Sequence, residues 1–173
     1  MFLLSDLVVT DKHQEYVDLV LSANFPLYCQ ITIDSDRPSM IFSHGLMGRN
    51  ESESQSVGVI NSAFYQESIR FFDSFCVQNG VEYSCIFRAS INCTVYAKDT
   101  AVKIHRDHEF HHNVFICYLN DSDGDTNIYD ENDNLIHSVS PKQFRGLFFS
   151  GEPHNHNHCK PDVRRVVLVV TFI

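Results

Sequence analysis

The sequence predicts a mainly β, α+β domain in which N-terminal helices precede strands that close into a sandwich or barrel of jelly-roll type. Three observations predict it. From residue 83 to residue 173, strand-like runs alternate with short turns rich in Asp, Asn, Gly and Pro. Helical periodicity is confined to the residues before Gly80. Apolar residues make up 43% of the 173, with 14 Phe, 7 Tyr and no Trp, so one domain can bury a Phe-rich core.

In chain order, residues 2–9 read as a strand. Thr10 or Asp11 can cap a helix whose apolar stripe is Tyr16, Val17, Val20 and Leu21, and Asn24, Phe25 and Pro26 end it. Residues 27–33 have strand composition, 34–38 form a turn, and 40–42 make a short strand. Residues 45–58 are polar and read as an exposed loop. A second helix is predicted over 61–78, with Tyr65, Ile69, Phe72 and Cys76 on one face, Asn61 or Ser62 as cap and Gly80 as stop. Strands follow at 83–96, 101–105, 113–119, 125–130, 134–139, 144–149 and 163–172. The expected plan is one domain over 1–173, with 1–82 bracing an outer face of a core formed by 83–173.

Charge and cysteine usage narrow the classes. Lys plus Arg is 13 and Asp plus Glu is 22, a net charge of −9, which argues against non-specific binding to a phosphate backbone. No apolar run approaches the roughly 20 residues of a bilayer span. The start lacks a basic segment and Asp6 breaks its apolar stretch, so the protein is taken as cytoplasmic with no membrane partner. Cys29, Cys76, Cys85, Cys93, Cys117 and Cys159 contain no C-x-x-C pair and read as free thiols rather than a zinc ribbon.

The ten histidines are unevenly placed. His105, His108, His111 and His112 form one cluster; His154, His156 and His158 form another. Within the first, His105 and Asp107 are two apart, so on a strand they project to one face and can bind one metal. A histidine from a distant strand would complete two imidazoles and one carboxylate, the set that leaves three positions open on non-haem iron(II). A lone His-x-Asp is common by chance. Here it is followed by an aromatic strand, a Gly-Asp turn, an apolar strand, a histidine, and Arg164-Arg165 opening a β-branched last strand. An arginine there can pair bidentately with a carboxylate inside a barrel.

Residues 83–173 resemble the 2-oxoglutarate- and iron(II)-dependent dioxygenase superfamily, most nearly its prolyl-hydroxylase-like branch. The pieces that carry the resemblance are His105-Arg-Asp107, residues 115–120 followed by Gly124-Asp125, residues 146–150, a distal histidine, and Arg165 with the valines after it. The compact chain is also similar to small phage-encoded members. The resemblance implies a double-stranded β-helix of cupin-like type, Fe(II), 2-oxoglutarate and O2 as cofactor and co-substrates, and ascorbate as a candidate reductant. It implies that 2-oxoglutarate is decarboxylated to succinate and CO2 while an unactivated C–H is hydroxylated, on a prolyl or other peptidyl side chain or on a small molecule. Asp107, as a carboxylate, argues against halogenation.

Residue by residue, the resemblance implies His105 and Asp107 as iron ligands. Tyr118 would bond the distal carboxylate of 2-oxoglutarate, and Tyr96 would lie near it. The third ligand is His156 on its spacing to Arg165 (165 − 156 = 9), with His154 and Arg164 as the alternatives. His108, His111 and His112 are expected at the rim of the site, and Arg88 and Asn92 as polar sheet residues. Substrate choice is expected to lie in loops 34–58 and 97–104. Two rivals stand beside this reading: a cupin-type metal enzyme without 2-oxoglutarate, and a non-catalytic jelly-roll module holding zinc or nickel on His154, His156 and His158.

Overall fold

The computed structural model describes residues 1–32, 39–48, 56–96 and 102–173. Its elements are β1 (Phe2–Asp6), α1 (Asp11–Leu21), β2 (Tyr28–Thr32), β3 (Ser39–Gly48), β4 (Val59–Ile60), α2 (Tyr65–Asn79), β5 (Ile86–Val95), β6 (Asn113–Tyr118), β7 (Thr126–Tyr129), β8 (Leu135–Val139), β9 (Arg145–Phe149), β10 (His154–His156) and β11 (Arg164–Phe172).

The strands form two antiparallel sheets. The larger runs β1-β9-β6-β11-β5-β3-β2, with β4 on β3, and the smaller runs β10-β7-β8. An antiparallel bridge between His105 and His154 adds one further position beside β10. Strand alternation gives the large sheet two working faces. On β11, Val166, Leu168, Val170 and Phe172 join a core with Val17, Val20, Phe71, Phe72 and Phe75 of the helices. Val167 and Val169 face the other way, toward Ile128 and Val139 of the small sheet. The helices therefore brace the outer face of a two-sheet jelly roll, and β1 to β4, from residues 1–82, are strands of its large sheet.

Local chemistry sets the element ends. Thr10 is the N-cap of α1, and its backbone N–H donates to His13 Nδ1 at 3.1 Å. Gly80 ends α2 in the left-handed region at φ 64°, where a Cβ is unfavourable. Gly146 lets β9 pass under α2, since a Cβ there would run into the Phe75 ring.

Four elements differ from the sequence expectation. β3 continues to Gly48 through residues read as loop, because Leu46 and Met47 are buried and Met47 pairs with Ala89 and Ile60. α2 begins at Tyr65, since Ser62 makes a turn in which its Oγ accepts from the Phe64 N–H. Of the expected strand 101–105, residues 102–104 have no regular structure and only His105 pairs. β10 is three residues of His and Asn, too short and polar for any apolar period to mark it. All six cysteines are free, and Cys76, Cys93, Cys117 and Cys159 are buried. Among the described residues, no helix is long and apolar enough to cross a membrane.

Candidate metal centre

His105 and Asp107 lie on the irregular segment before β6, and His154 opens β10. The bridge joins them: the His105 N–H donates to the His154 carbonyl at 3.0 Å and the His154 N–H returns at 2.9 Å. The two rings lie 4.6 Å apart, and Asp107 Oδ2 is 3.6 Å from His154 Nε2. Ligand atoms of His105, Asp107 and His154 all fall within 4.8 Å of one another, so the three could hold a metal ion.

The surroundings orient these donors. His105 Nδ1 lies 3.1 Å from the Lys103 carbonyl, and His154 Nδ1 lies 3.1 Å from the Glu152 carbonyl. A carbonyl only accepts, so Nδ1 carries the proton and each Nε2 keeps its lone pair, the tautomer a metal needs. Asp107 Oδ1 accepts from Arg88 at 3.1 Å, whereas Oδ2 is buried with no partner. An orphaned carboxylate oxygen in a dry site is costly unless a cation meets it. Two imidazole nitrogens and one carboxylate oxygen match the donor set of non-haem iron(II) sites.

Electrostatics favour the same state. Burial alone would raise the Asp107 pKa, but His154, Arg88 and His105 outweigh it and hold the carboxyl below its ordinary range. Desolvation pushes His154 down to about 4, so near neutral pH its ring is uncharged, and the Arg88 guanidinium remains as a permanent cation beside Asp107.

Of the two distal histidines weighed from sequence, the fold brings His154 beside Asp107 rather than His156. His156 shares the face of His154 but lies two residues further along β10. Burial and then the nearby charge of Arg165 push it down to about 3. His158 is half-buried and outside the cluster.

Deeper along β11, Arg165 is 4% exposed, forms no ion pair among the described residues, and keeps its Nε without a partner. One of its terminal N–H groups donates to Thr126 Oγ1 at 2.8 Å, and the Tyr118 hydroxyl donates to the same oxygen at 2.7 Å. The guanidinium carbon sits 5.5 Å from the centroid of the Tyr118 ring. Arg164 points out of the barrel and bonds the Leu21 carbonyl at the end of α1. Tyr96 ends the described part of its segment at the surface, 46% exposed.

Several groups here were missed or misread from sequence. Arg88, expected as an ordinary sheet residue, contacts Asp107. Register on β11 places Thr171, Val169, Val167 and Arg165 opposite Arg88, Ser90, Asn92 and Thr94, so β5 turns a polar row toward the barrel. Four polar residues in strict alternation between Ala89, Ile91 and Cys93 were the available signal. Thr126 gave no signal of its own. His112, expected at a rim, is 2% exposed with Nδ1 bonded to the Phe110 carbonyl; it precedes β6 and packs against Gly151, so the core encloses it. His108 bonds Thr171, and His111 is exposed. Residues 33–38, 49–55 and 97–101, most of the loops expected to choose substrate, lie outside the described residues.

The fold is that of the 2-oxoglutarate- and iron(II)-dependent oxygenases. An oxidoreductase of the 2OG-Fe(II) oxygenase family from Burkholderia pseudomallei superposes with a TM-score of 0.71 at 16% identity, covering 99% of this chain and 84% of its own. A prolyl hydroxylase from Trichoplax adhaerens, solved with a hypoxia inducible factor oxygen degradation domain peptide fragment, gives 0.63 at 14% identity, covering 99% and 83%. The epimerase SnoN of nogalamycin biosynthesis, in complex with Fe3+, alpha ketoglutarate and nogalamycin RO, gives 0.64 at 9% identity, covering 99% and 78%. No family model and no curated relative matches the sequence.

Proposed function

We propose that this chain is an Fe(II)- and 2-oxoglutarate-dependent dioxygenase that hydroxylates an unactivated C–H, with residues 83–173 as its catalytic core. The observation that carries the reading is the Arg165 guanidinium. It is buried and makes no ion pair among the described residues, on the strand that lines the barrel behind the His105, Asp107 and His154 cluster. A buried cation without a carboxylate calls for an anionic ligand. A keto acid that reaches a metal with one end and an arginine with the other satisfies both ends of this pocket.

In this reading His105 Nε2, Asp107 Oδ2 and His154 Nε2 bind the metal, and Arg165 takes the far carboxylate. Tyr118 and Thr126 hold the guanidinium in place, and Thr126 keeps a hydroxyl proton for the same carboxylate. His156 stays neutral beside Arg165 and adds no competing charge. Iron(II) held by these three residues would, with 2-oxoglutarate and O2, supply the oxidising power, the keto acid leaving as succinate and CO2. The apolar wall of Ile116, Leu147, Phe149 and Val167 keeps water from the pocket. For substrate, the prolyl hydroxylase among the similar structures supports a peptidyl side chain, and the epimerase supports a small molecule.

The test is anaerobic addition of Fe(II) and then 2-oxoglutarate to the metal-free protein, followed through the weak visible charge-transfer band of the chelated keto acid. The band is expected in wild type and in His156→Ala, and is expected to vanish in His105→Ala and His154→Ala. Arg165→Ala should need far more 2-oxoglutarate to reach it. No band, with tight zinc binding, would sink the dioxygenase reading in favour of a metal-holding module. A band with no succinate for any substrate class would favour the cupin-type alternative.

A further inference from the structure

A carboxylate can offer a divalent metal one oxygen or both, and the choice decides how many positions remain open. In this site the two oxygens of Asp107 are unequal. Oδ1 accepts from Arg88 Nη1 at 3.1 Å, while Oδ2, 3.6 Å from His154 Nε2, is the buried atom without a partner. Arg88 lies on β5, an interior strand of the large sheet, directly opposite Thr171 of β11 and one residue before Ala89, which pairs with Met47 of β3. Its side chain is 27% exposed and that of Asp107 is 7% exposed, so the pair is shielded on the carboxylate side and reached by water on the guanidinium side. Its other polar contact is long, Nη2 to Ser90 Oγ at 3.5 Å, and fixes little.

We infer that Arg88 is a positioning residue: it occupies Oδ1, so that Asp107 meets the metal through Oδ2 alone. This rests on the metal reading of the His105, Asp107 and His154 cluster. Two consequences follow from the geometry. Before metal arrives, Arg88 is the permanent cation that compensates a buried carboxylate, so the site is held in place without its ion. With a metal held by His105, Asp107 and His154, a carboxylate kept to one oxygen would leave room for a chelating keto acid and O2. Without Arg88, Asp107 is free to rotate and chelate through both oxygens, in competition with the keto acid.

The experiment measures Mn(II) affinity, and then 2-oxoglutarate affinity of the Mn(II)-loaded protein, for wild type, Arg88→Gln, Arg88→Lys and Asp107→Ala. Near-ultraviolet circular dichroism checks folding. Arg88→Gln is expected to lower Mn(II) affinity by about 10- to 100-fold, the usual cost of losing a partner that orients a ligand. It should also weaken 2-oxoglutarate binding to the loaded protein. Arg88→Lys, which keeps a cationic donor, should recover most of both losses, which a role confined to sheet packing would not predict. If Arg88→Gln proves unfolded, Arg88→Lys against wild type carries the test through a smaller loss of the same two affinities. Wild-type affinities in a folded Arg88→Gln would overturn the inference about Arg88 alone. A wild type that binds no Mn(II), Fe(II) or Co(II) would overturn the metal centre, and this inference with it.

Discussion

The two faces of the large sheet are built from the same strands and do different work. On the helix side, Phe72 packs at 4.6 Å from Phe172 and 5.4 Å from Phe115 between ring centroids, and the buried Tyr16 hydroxyl is paired with Ser68. On the barrel side, Asn92 Oδ1, Thr94 Oγ1 and Arg165 Nε are buried without partners, and Asp107 Oδ2 is another such atom beside His154. Natural interiors leave few polar atoms unpaired, so the barrel face carries a cost that the proposed ligand would relieve. One face is filled by apolar packing and the other holds buried polar groups without partners.

Substitutions can sharpen or break that contrast. The largest effect is expected on the helix face, where Phe72→Ala should cost about 3–5 kcal/mol, read from the urea midpoint, with the metal donors untouched. Next comes Arg165→Met on the barrel face. Replacing an unpaired buried cation with an apolar chain should leave the ligand-free protein as stable or more so. It should abolish the stabilisation by 2-oxoglutarate of the Mn(II)-loaded form, about 2.7 kcal/mol when the ligand stands at roughly 100 times its Kd. A large loss of ligand-free stability in that variant would break the comparison.

A smaller effect is expected from pH. Burial, and then the charge of Arg165, pushes the His156 imidazole down to about 3 in the folded chain from its ordinary 6.5. Between those values the unfolded chain binds the extra proton, so stability should fall as pH drops below 6.5 and stay flat above it. The slope is at most about 1.4 kcal/mol per pH unit for one histidine, and His156→Asn should reduce it in urea titrations at pH 7, 5.5 and 4.5. The smallest effect is expected at the surface. Lys142 and Asp6 pair at 2.6 Å but are both about half exposed, so Lys142→Ala should change the urea midpoint by about 0–1 kcal/mol.

Much of the architecture was legible because it depends on short-range order. The stripe of α1, the stop at Gly80 and most of the strands after residue 83 follow from periodicity and turn chemistry. β3 was underestimated because Gly45 and Gly48 look like loop residues until Leu46 and Met47 find a core. His105 and Asp107 were legible as a pair from their spacing, although the segment that carries them is irregular rather than a strand. Arg88 was not, since its partner lies 19 residues away. Thr126 likewise depends on Tyr118 and Arg165 reaching it from two other strands.

By itself the sequence determined the class of strand-rich fold, the −9 charge and the presence of imidazoles, a carboxylate and arginines in a suggestive order. The tertiary structure set His154 rather than His156 beside Asp107, and it buried Arg165 while leaving Arg164 exposed. Alternation assigns a side chain to a face but gives no position along the strand, so His154, His156 and His158 are equivalent until a neighbouring strand sets the register. The bridge from His105 sets it, and places His154 at the cluster. Adjacent arginines point to opposite faces whatever the sequence says. Only the packing of α1 against one face and of β7 against the other shows that Arg165 is the one enclosed.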